Sequence, residues 1–551
     1  MLSEVIRKHV LKNAFDYGAA STAGVVGKVI ALFPDAKSDM AGTMQLIGKV
    51  VSEVNKFSKQ QIEKEMLRFT YIEKKEEEKK IVFPNAEQGK VVVRFPPEPN
   101  GYPHIGHAKA FFLEWTACRE YGGKVILRWD DTNPETEKEE FVDAIRNGIA
   151  WLGMDWDEEV YCSDSMPKLY ELNEQLLRQE DAYVCRCSQE KISENREKKS
   201  RCKCVDPSVT QQLQSWKKML DGKTKKGEAV VRLKADMQSL NTVMRDPTLW
   251  RIIEAAHYRQ ENKYRVWPTY DFQGAVMDSL LGITHPLRSK EYELRDELYF
   301  YLLDKLKLRK PTLITISRLS IANAPVSKRL LKPLVESGKL MGWDDPRLPT
   351  LAGLRRRGVL PEAIKHFVLS FGLSKAESNP TLERLFVENK KLLEPQSEHF
   401  FFVPNALKLK ISGKAEVEPR DKAANNNLAG VEDTSVVYVP GKEVSTGEEI
   451  RLKGFASMKV EGKSAEVVKS SPEKKVQWIF ADKAVKTKLL IPKELLKSDG
   501  EFNEDSLEEI SGYCPPSILQ LEEGTVVQFE RVGFARLDKK TKTSAEFIFS
   551  C

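Results

Sequence analysis

What the 551-residue sequence lacks narrows it first. No apolar run approaches the roughly 18 residues needed to cross a bilayer, so no membrane partner is expected. The opening "MLSEVIRKHVLKNAFDYG" carries Glu4 and has no apolar leader core. It reads as an amphipathic helix, not a secretory signal, and a cytoplasmic setting follows. An excess of one charge is also lacking. Lys and Arg number 87 against 81 Asp and Glu, a net +6, so any basic surface for nucleic acid must be local. Eight cysteines in so long a chain are too few for a disulfide scaffold and predict reduced thiols or a metal. Histidine is scarce, with 7 in all, yet His104 and His107 fall within four residues.

The chain is too long for one core, and its texture changes several times. Residues 1–88 read as an N-terminal helical region, with a 3.6-residue apolar period in "SEVNKFSKQQIEKEMLRF". "EKKEEEKK" (73–80) alternates both signs, as a solvated helix end or linker does. From 89 to 178 the pattern is strand, Pro/Gly loop, helix, strand: "VVVRF", then "AKAFFLEWTACREYGG", then "KVILRWDD". This is a βαβ unit of a doubly wound parallel sheet, whose ligands lie beyond the carboxyl ends of the strands. Arg94, His104, His107 and Asp130 are placed on one rim. Residues 179–262, Lys-rich and holding four cysteines, interrupt the sheet as an inserted domain. The sheet pattern resumes over 263–344, a helical stem follows over 345–395, and residues 396–551 have the short-strand texture of β-barrels. "DKAANNNLAG" (421–430) reads as a loop tip.

"EPNGYPHIGHAKA" sets His-x-Gly-His at the mouth of the first helix, where free N–H groups and the helix dipole favour an anion. Two imidazoles there suit a nucleotide triphosphate, with its base against the bare Gly106 and donors at an α-phosphate under in-line attack. A metal pair or two surface histidines are the competing readings. Chance is a weak one, since this composition yields such a motif about 0.005 times per chain. "SRLSIANAPVSKRLL" supplies the partner: Lys328, opening a helix, can neutralise charge on departing pyrophosphate.

These motifs resemble those of class I aminoacyl-tRNA synthetases of the glutamyl/glutaminyl branch. "RFPPEPNGYPHIGHAKA", "LRWDDTNPE", "VMRDPTLWRI", "WPTYDF", "GITHPLRSKEY", "VSKR" and "GWDDPRLPTLAGLRRRG" are similar to that branch's blocks, in order, across about 90–395. The lysine motif departs from the common KMSKS at Val326 and Arg329. The resemblance implies a multidomain fold with a Rossmann-like α/β catalytic domain and an α+β insertion. It implies His104, His107 and Lys328 as catalytic groups. It implies ATP contacts from Glu98, Pro99, Asn100, Ile105, Gly106, His107, Lys109, Arg318, Leu319, Val326, Ser327 and Lys328, with Mg2+. Arg94 and Tyr270 are expected to line the amino-acid pocket, and Asp130 to take the substrate ammonium.

At position 288 glutamyl members carry arginine and glutaminyl members a small neutral residue; here it is Arg288. Two guanidinium groups satisfy a buried carboxylate bidentately, which an amide cannot exploit. A surface ion pair with Glu291 or Glu293 is the competing role for Arg288. Gly274 also departs from the glutaminyl pattern, which has histidine. The helical N-terminus and β-rich C-terminus resemble the archaeal and eukaryotic glutamyl form. The implied reaction joins L-glutamate to tRNA(Glu), and in many such enzymes to tRNA(Gln) as well, by a monomer. A glutaminyl enzyme, a small-molecule nucleotidyltransferase and a non-catalytic tRNA-binding scaffold are the alternatives.

"CRCSQEKISENREKKSRCKC" pairs Cys185 and Cys187 with Cys202 and Cys204, a four-thiolate arrangement for structural zinc. Arg196, Lys198, Lys199, Arg201 and Lys203 are expected to favour thiolates there. Four reduced thiols in a loop are the alternative. "LRRRG" (354–358) reads as either a tRNA-tracking or a solvated helix face. Phe529 and Phe534 with Arg531 and Arg536 read as either anticodon contacts or barrel core.

Overall fold

The computed structural model describes residues 2–17, 20–66, 68–69, 80–321, 324–325, 328–377, 379–413, 435–497 and 499–551. Val326, Ser327, most of the alternating-charge run and the 421–430 stretch lie outside them.

The chain divides into two compact units, 1–79 and 80–551. The first holds helices α1 (Leu2–Tyr17), α2 (Thr22–Leu32), α3 (Met40–Val54) and α4 (Lys59–Met66). Ser21 and Asp39 cap α2 and α3 by accepting the N–H groups of Gly24 and Gly42. Ile6, Val10, Val25, Val29, Ile47 and Val54 form its core. The division falls before residue 88, because Ile81 and Phe83 are buried in the core of the second unit. Phe83 stacks on His285, with ring centroids 5.4 Å apart.

The second unit begins with a parallel sheet. Strands β1 (Val92–Phe95), β2 (Lys124–Trp129) and β3 (Glu158–Tyr161) pair in consecutive order, connected by α5 (Ile105–Glu120) and α6 (Glu139–Trp151). The β-branched run is buried because helices cover such sheets on both faces. On the free side of β1, Thr284 donates its N–H to Val92 O at 2.8 Å and accepts the Val92 N–H at Oγ1, also at 2.8 Å.

Between the two parts of this fold come α7 (Met166–Arg178) and a consecutive antiparallel sheet, β4 (Ala182–Cys185), β5 (Val230–Leu233), β6 (Thr248–Ile252) and β7 (Val266–Pro268). Helices α8 (Gln189–Glu197) and α9 (Val209–Leu220) lie between β4 and β5. The insertion's last strand thus lies beyond residue 262. Its core is shared with its flanks: Trp216, Val231 and Trp250 pack with Met166 and Leu169 of α7 and with Leu298 and Leu302.

The chain then runs through α10 (Tyr270–Leu280), β8 (Leu287–Ser289), α11 (Asp296–Leu306), β9 (Ile314–Ile316) and α12 (Lys328–Glu336). Strands β8 and β9 pair in parallel. The stem is α13 (Leu351–Arg357), α14 (Pro361–Leu369) and α15 (Leu382–Leu393). Two curled seven-stranded sheets complete the chain, each with its own core. Successive residues of one segment serve different cores: Phe401 and Val403 enter one, Phe400 and Phe402 the other. No helix among the described residues is long and apolar enough to cross a membrane.

Candidate active site

The loops after β1 and β2 are tied together. Asp130 donates its N–H to Pro97 O and Lys138 donates to Pro99 O, both at 3.0 Å. The loop carrying Glu98, Pro99 and Asn100 therefore runs along the rim formed by the ends of β1 and β2. A second clamp comes from the stem. Ile105 N–H donates to Pro349 O at 3.0 Å, and Leu351 N–H donates to Pro103 O at 2.9 Å.

Both histidines cap α5. His104 Nδ1 accepts the Gly106 N–H at 3.1 Å, and His107 Nδ1 accepts the His104 N–H at 3.2 Å. Each Nδ1 is an acceptor, so in the neutral ring the proton sits on Nε2, which is left as a donor. The rings lie 4.0 Å apart between centroids. Burial lowers His107 to about 4. Burial, with the neighbouring His107 and Arg318, also holds His104 well below the usual imidazole range. Both are neutral donors at pH 7.

Gly106 has a reason the motif did not reveal. A Cβ there would lie 2.8 Å from His104 Cε1 and 2.9 Å from Nδ1, so glycine makes room for the capping ring itself. Lys109, expected among the ATP contacts, does not reach solvent. It is 1% exposed, and its Nζ donates to Ser317 O (2.8 Å) and Ser317 Oγ (3.2 Å). It is a strut between α5 and the end of β9. Ile105 and Leu319 are core residues, and Arg318 is exposed and pairs with Glu291 at 3.1 Å. Lys328, first residue of α12, is exposed; its Nζ donates to Asn100 O at 2.6 Å and lies 4.4 Å from the Phe141 ring centroid. The two phosphate-type motifs thus meet.

A small pocket opens beside α10, lined by Tyr270, Asp271, Gly274 and Ala275, with Asp278, Arg288, Arg295 and Tyr299. Arg288 is 6% exposed. Its Nη1 donates to Asp296 at 2.8 Å, and its guanidinium carbon lies 5.2, 5.7 and 5.9 Å from the rings of Tyr299, Tyr292 and Tyr270. Neither surface pairing occurs: Glu291 takes Arg318 and Glu293 takes Lys375.

Arg94, expected beside Tyr270 in the amino-acid pocket, is 2% exposed and touches the pocket through Asp278, which lines it. Its Nε donates to Asp278 (3.1 Å), and its Nη1 donates to Glu114 (3.0 Å) and Leu287 O (2.9 Å). Arg128 binds Asp278 through Nη1 and Asp130 through Nε and Nη2. Burial raises Glu114 to about 8 despite Arg94. Burial would also raise Asp278, but Arg94 and Arg128 hold it below the usual carboxylate range. Asp278 is therefore the steady counter-charge, joining Arg94 to the Arg128–Asp130 pair. Asp130 also accepts from Gln273 Nε2 at 2.8 Å, while Oδ2 has only Arg128 as a hydrogen-bond partner among the described residues.

A family model for the catalytic domain of class I tRNA synthetases (E and Q) matches residues 90–395, and one for their anti-codon binding domain matches residues 475–538. The chain belongs to the class I tRNA synthetases of the E and Q type. The glutamate–tRNA ligase of Nitrosopumilus maritimus is 43% identical over 560 residues, covering 98% of each chain. Those of Cenarchaeum symbiosum and Korarchaeum cryptofilum are 38% and 37% identical, over 97% and 98% of each chain.

Elsewhere in this synthetase the four cysteines converge. Their sulfurs lie within 4.8 Å of one another, with Cys185 to Cys202 at 3.7 Å and Cys187 to Cys204 at 3.8 Å. Zinc–sulfur bonds of about 2.3 Å in a tetrahedron put sulfurs about 3.8 Å apart, so the residues fit that ion. The basic neighbours do not act as expected. Burial raises Cys185 well above its usual range and Cys187 to about 11. Burial would raise Cys202 too, but the Cys204 N–H and contacts with Cys185 and Tyr183 lower it. Arg201 is spent on Asp246.

Two further basic stretches serve packing. Arg356 makes a two-pronged pair with Asp538 (3.0 and 2.8 Å), and buried Arg357 donates to Ser550 O at 3.2 Å, joining stem to sheet. Arg355 alone of the three is exposed. Phe529 and Phe534 are 0% and 1% exposed and belong to the core. Arg536 bonds to Arg356 O and Asp538, and Arg531 pairs with Glu443.

Sequence reasoning missed Asp278 and Arg295 in the pocket, and a buried group at the insertion. His257 Nδ1 accepts the Arg259 and Gln260 N–H groups, so Nε2 donates to Asp131 O at 3.1 Å. Asp131 accepts from Ser163 and Tyr258, and Glu137 Oε2 lies 3.6 Å from His257 Nε2. Burial raises Asp131 to about 7 and Glu137 to about 9.

Proposed function

We propose that the chain ligates L-glutamate to the 3′-terminal ribose of tRNA(Glu) at the expense of ATP, through a glutamyl-adenylate. The observation that carries this reading is Arg288, buried on the pocket wall within a ring of three tyrosines. A side-chain carboxylate matches that cation. Glutamine would set its amide donors against it, a mismatch of about 2–5 kcal/mol for a broken buried charge pair.

In the first step a glutamate α-carboxylate oxygen attacks the α-phosphorus and pyrophosphate leaves. The Nε2–H groups of His104 and His107, with the α5 N-terminus, donate to the α-phosphate oxygens as charge gathers there. Lys328 neutralises the departing pyrophosphate. Glu98, Pro99 and Asn100 belong to the loop flanking the nucleotide, and Val326 and Ser327 are proposed to extend the contacts. Asp130 Oδ2 takes the substrate ammonium, and Tyr270 borders the side chain. Mg2+ would be bound by the triphosphate and would supply charge neutralisation there, since magnesium binds through phosphates with few protein ligands. In the second step the terminal ribose hydroxyl attacks the activated carbonyl and AMP leaves.

Cys185, Cys187, Cys202 and Cys204 would hold zinc, which supplies structure alone because four thiolates leave no open position. The inserted domain is proposed to receive the acceptor end and the C-terminal sheets the anticodon. The enzyme acts as a cytoplasmic monomer, and tRNA(Gln) is a second acceptor.

The test is charging of purified tRNA(Glu) and tRNA(Gln) with labelled glutamate or glutamine and ATP. Glutamate on tRNA(Glu) is expected. Glutamine alone would establish the glutaminyl alternative, and no charging with intact tRNA binding would leave a scaffold.

A further inference from the structure

Two of the basic groups nearest the four cysteines in sequence are spent elsewhere, Lys198 on Glu194 and Arg201 on Asp246. The guanidinium that does reach a sulfur comes from β5: Arg232 Nη1 lies 4.0 Å from Cys202 Sγ. The sheet explains the meeting. Arg232 pairs opposite Tyr183 in the antiparallel register of β4 and β5, and Cys185 follows Tyr183 by two residues. Opposed residues share a face, and so do residues two apart on one strand. Arg232 and Cys185 therefore emerge on the same side of the sheet.

Arg232 is 0% exposed. Its Nε donates to the Asp246 carbonyl at 2.8 Å, and Nη2 is buried with no hydrogen-bond partner. No carboxylate pairs with it among the described residues. The Asp246 carboxylate is committed to others: Arg201 through two bonds, the Tyr183 hydroxyl and the Ala235 N–H. The Tyr183 ring, 5.7 Å from the guanidinium carbon, adds a cation–π contact and no charge. A buried cation left without a counter-charge is strongly destabilising. The matching charge is at hand once the cysteines hold a metal. A ligating thiol is deprotonated outright, and four thiolates about a divalent ion leave two surplus negative charges.

We propose that Arg232 is the counter-ion of a zinc tetrathiolate, donating Nη1–H to the Cys202 sulfur and offsetting the surplus negative charge inside the insertion. This rests on the four cysteines binding zinc. Arg232 is not a ligand; it acts through the sulfur. A positive N–H donor draws electron density from a thiolate, which slows loss of the ion.

The experiment uses the full chain loaded with zinc. Wild type, Arg232→Met and Arg232→Gln are challenged with an excess of a pyridylazo chelating dye, and zinc release is followed by its colour. Groups that hydrogen-bond to metal ligands change affinity by roughly 10–100-fold, so Arg232→Met is expected to release zinc at least tenfold faster. Cobalt in place of zinc gives a second reading that packing alone does not move. The sulfur-to-cobalt charge-transfer band of Arg232→Met should shift to lower energy, because the sulfurs lose a positive neighbour. Arg232→Gln keeps an N–H donor and loses the charge. It should follow Arg232→Met, and it replaces that variant should Arg232→Met not fold. A smaller acceleration in either folded variant, or an unmoved cobalt band, overturns the proposal. Wild type that binds neither zinc nor cobalt sinks the metal reading itself. Wild type that holds zinc beside indifferent variants sinks this inference alone.

Discussion

Lys328 Nζ donates to the carbonyl of Asn100, 2.6 Å away and 228 positions earlier in the chain. The contact ties the start of α12 to the loop that leads into α5, whose first turn His104 and His107 cap. The lysine is exposed, and an ammonium has two further donors. Lys328→Ala is expected to lower kcat for tRNA-dependent pyrophosphate exchange by roughly 10²–10³-fold, the usual cost of one transition-state donor. Glutamate KM should stay within about threefold. A matching loss in KM would place the lysine in ground-state binding instead.

Arg288→Cys should reverse the amino-acid preference. Removing one side of a buried charge pair costs about 2–5 kcal/mol, roughly 30- to 4000-fold in kcat/KM for glutamate. Glutamine should gain in absolute terms. Asp296 loses its partner but is 26% exposed on its side chain, so water can replace the arginine and folding should survive. Unchanged selectivity in paired charging assays would remove Arg288 from the pocket's chemistry.

Glu137 gives a stability prediction with a definite sign. Its folded-state value is raised by burial to about 9, whereas an unfolded glutamate titrates near 4.3. Between those values the unfolded chain binds fewer protons, so stability falls as pH rises from about 4.5 to about 9. Glu137→Gln cannot ionise. The Tm difference, Gln variant minus wild type, should grow steadily from pH 5 to pH 9. Asp131, raised to about 7, contributes in the same direction and remains in the variant. A difference that is flat across this range would contradict the buried, protonated glutamic acid.

Zinc analysis of the purified chain should give about one ion per molecule. Chelation, or Cys202→Ser, should speed amide exchange in β4 and the 202–205 turn, with little change at β1 and β2. Exchange that is identical with and without chelator would mean four thiols that pack without a metal.

Periodicity and turn chemistry made the parallel sheet, the interruption and the β-rich end legible, because strand, helix and Pro/Gly signals are local. His104 and His107 were legible for the same reason: both act within one turn. Arg94 was not. Its burial depends on Asp278 and Glu114, which come from α10 and α5, and no local pattern shows that pairing. The contact of Lys109 was not legible either, because its partner Ser317 lies 208 positions away. The "LRRRG" arginines and the Phe529/Phe534 pair were each readable as ligand contacts or packing. The choice rested on Asp538 and Ser550, which lie far from α13 in sequence.

The segment Phe400–Val403, whose alternate side chains enter different cores, bears on how the C-terminal region comes apart. Its backbone pairs in one sheet alone, but a segment whose side chains fill both cores cannot leave one without opening the other. The Tyr438–Tyr513 stack, with centroids 4.0 Å apart and planes 6° from parallel, adds a second rivet between them. The two sheets should therefore melt in a single cooperative step, and a cavity cut at Phe401 should loosen the neighbouring sheet that it does not itself fill.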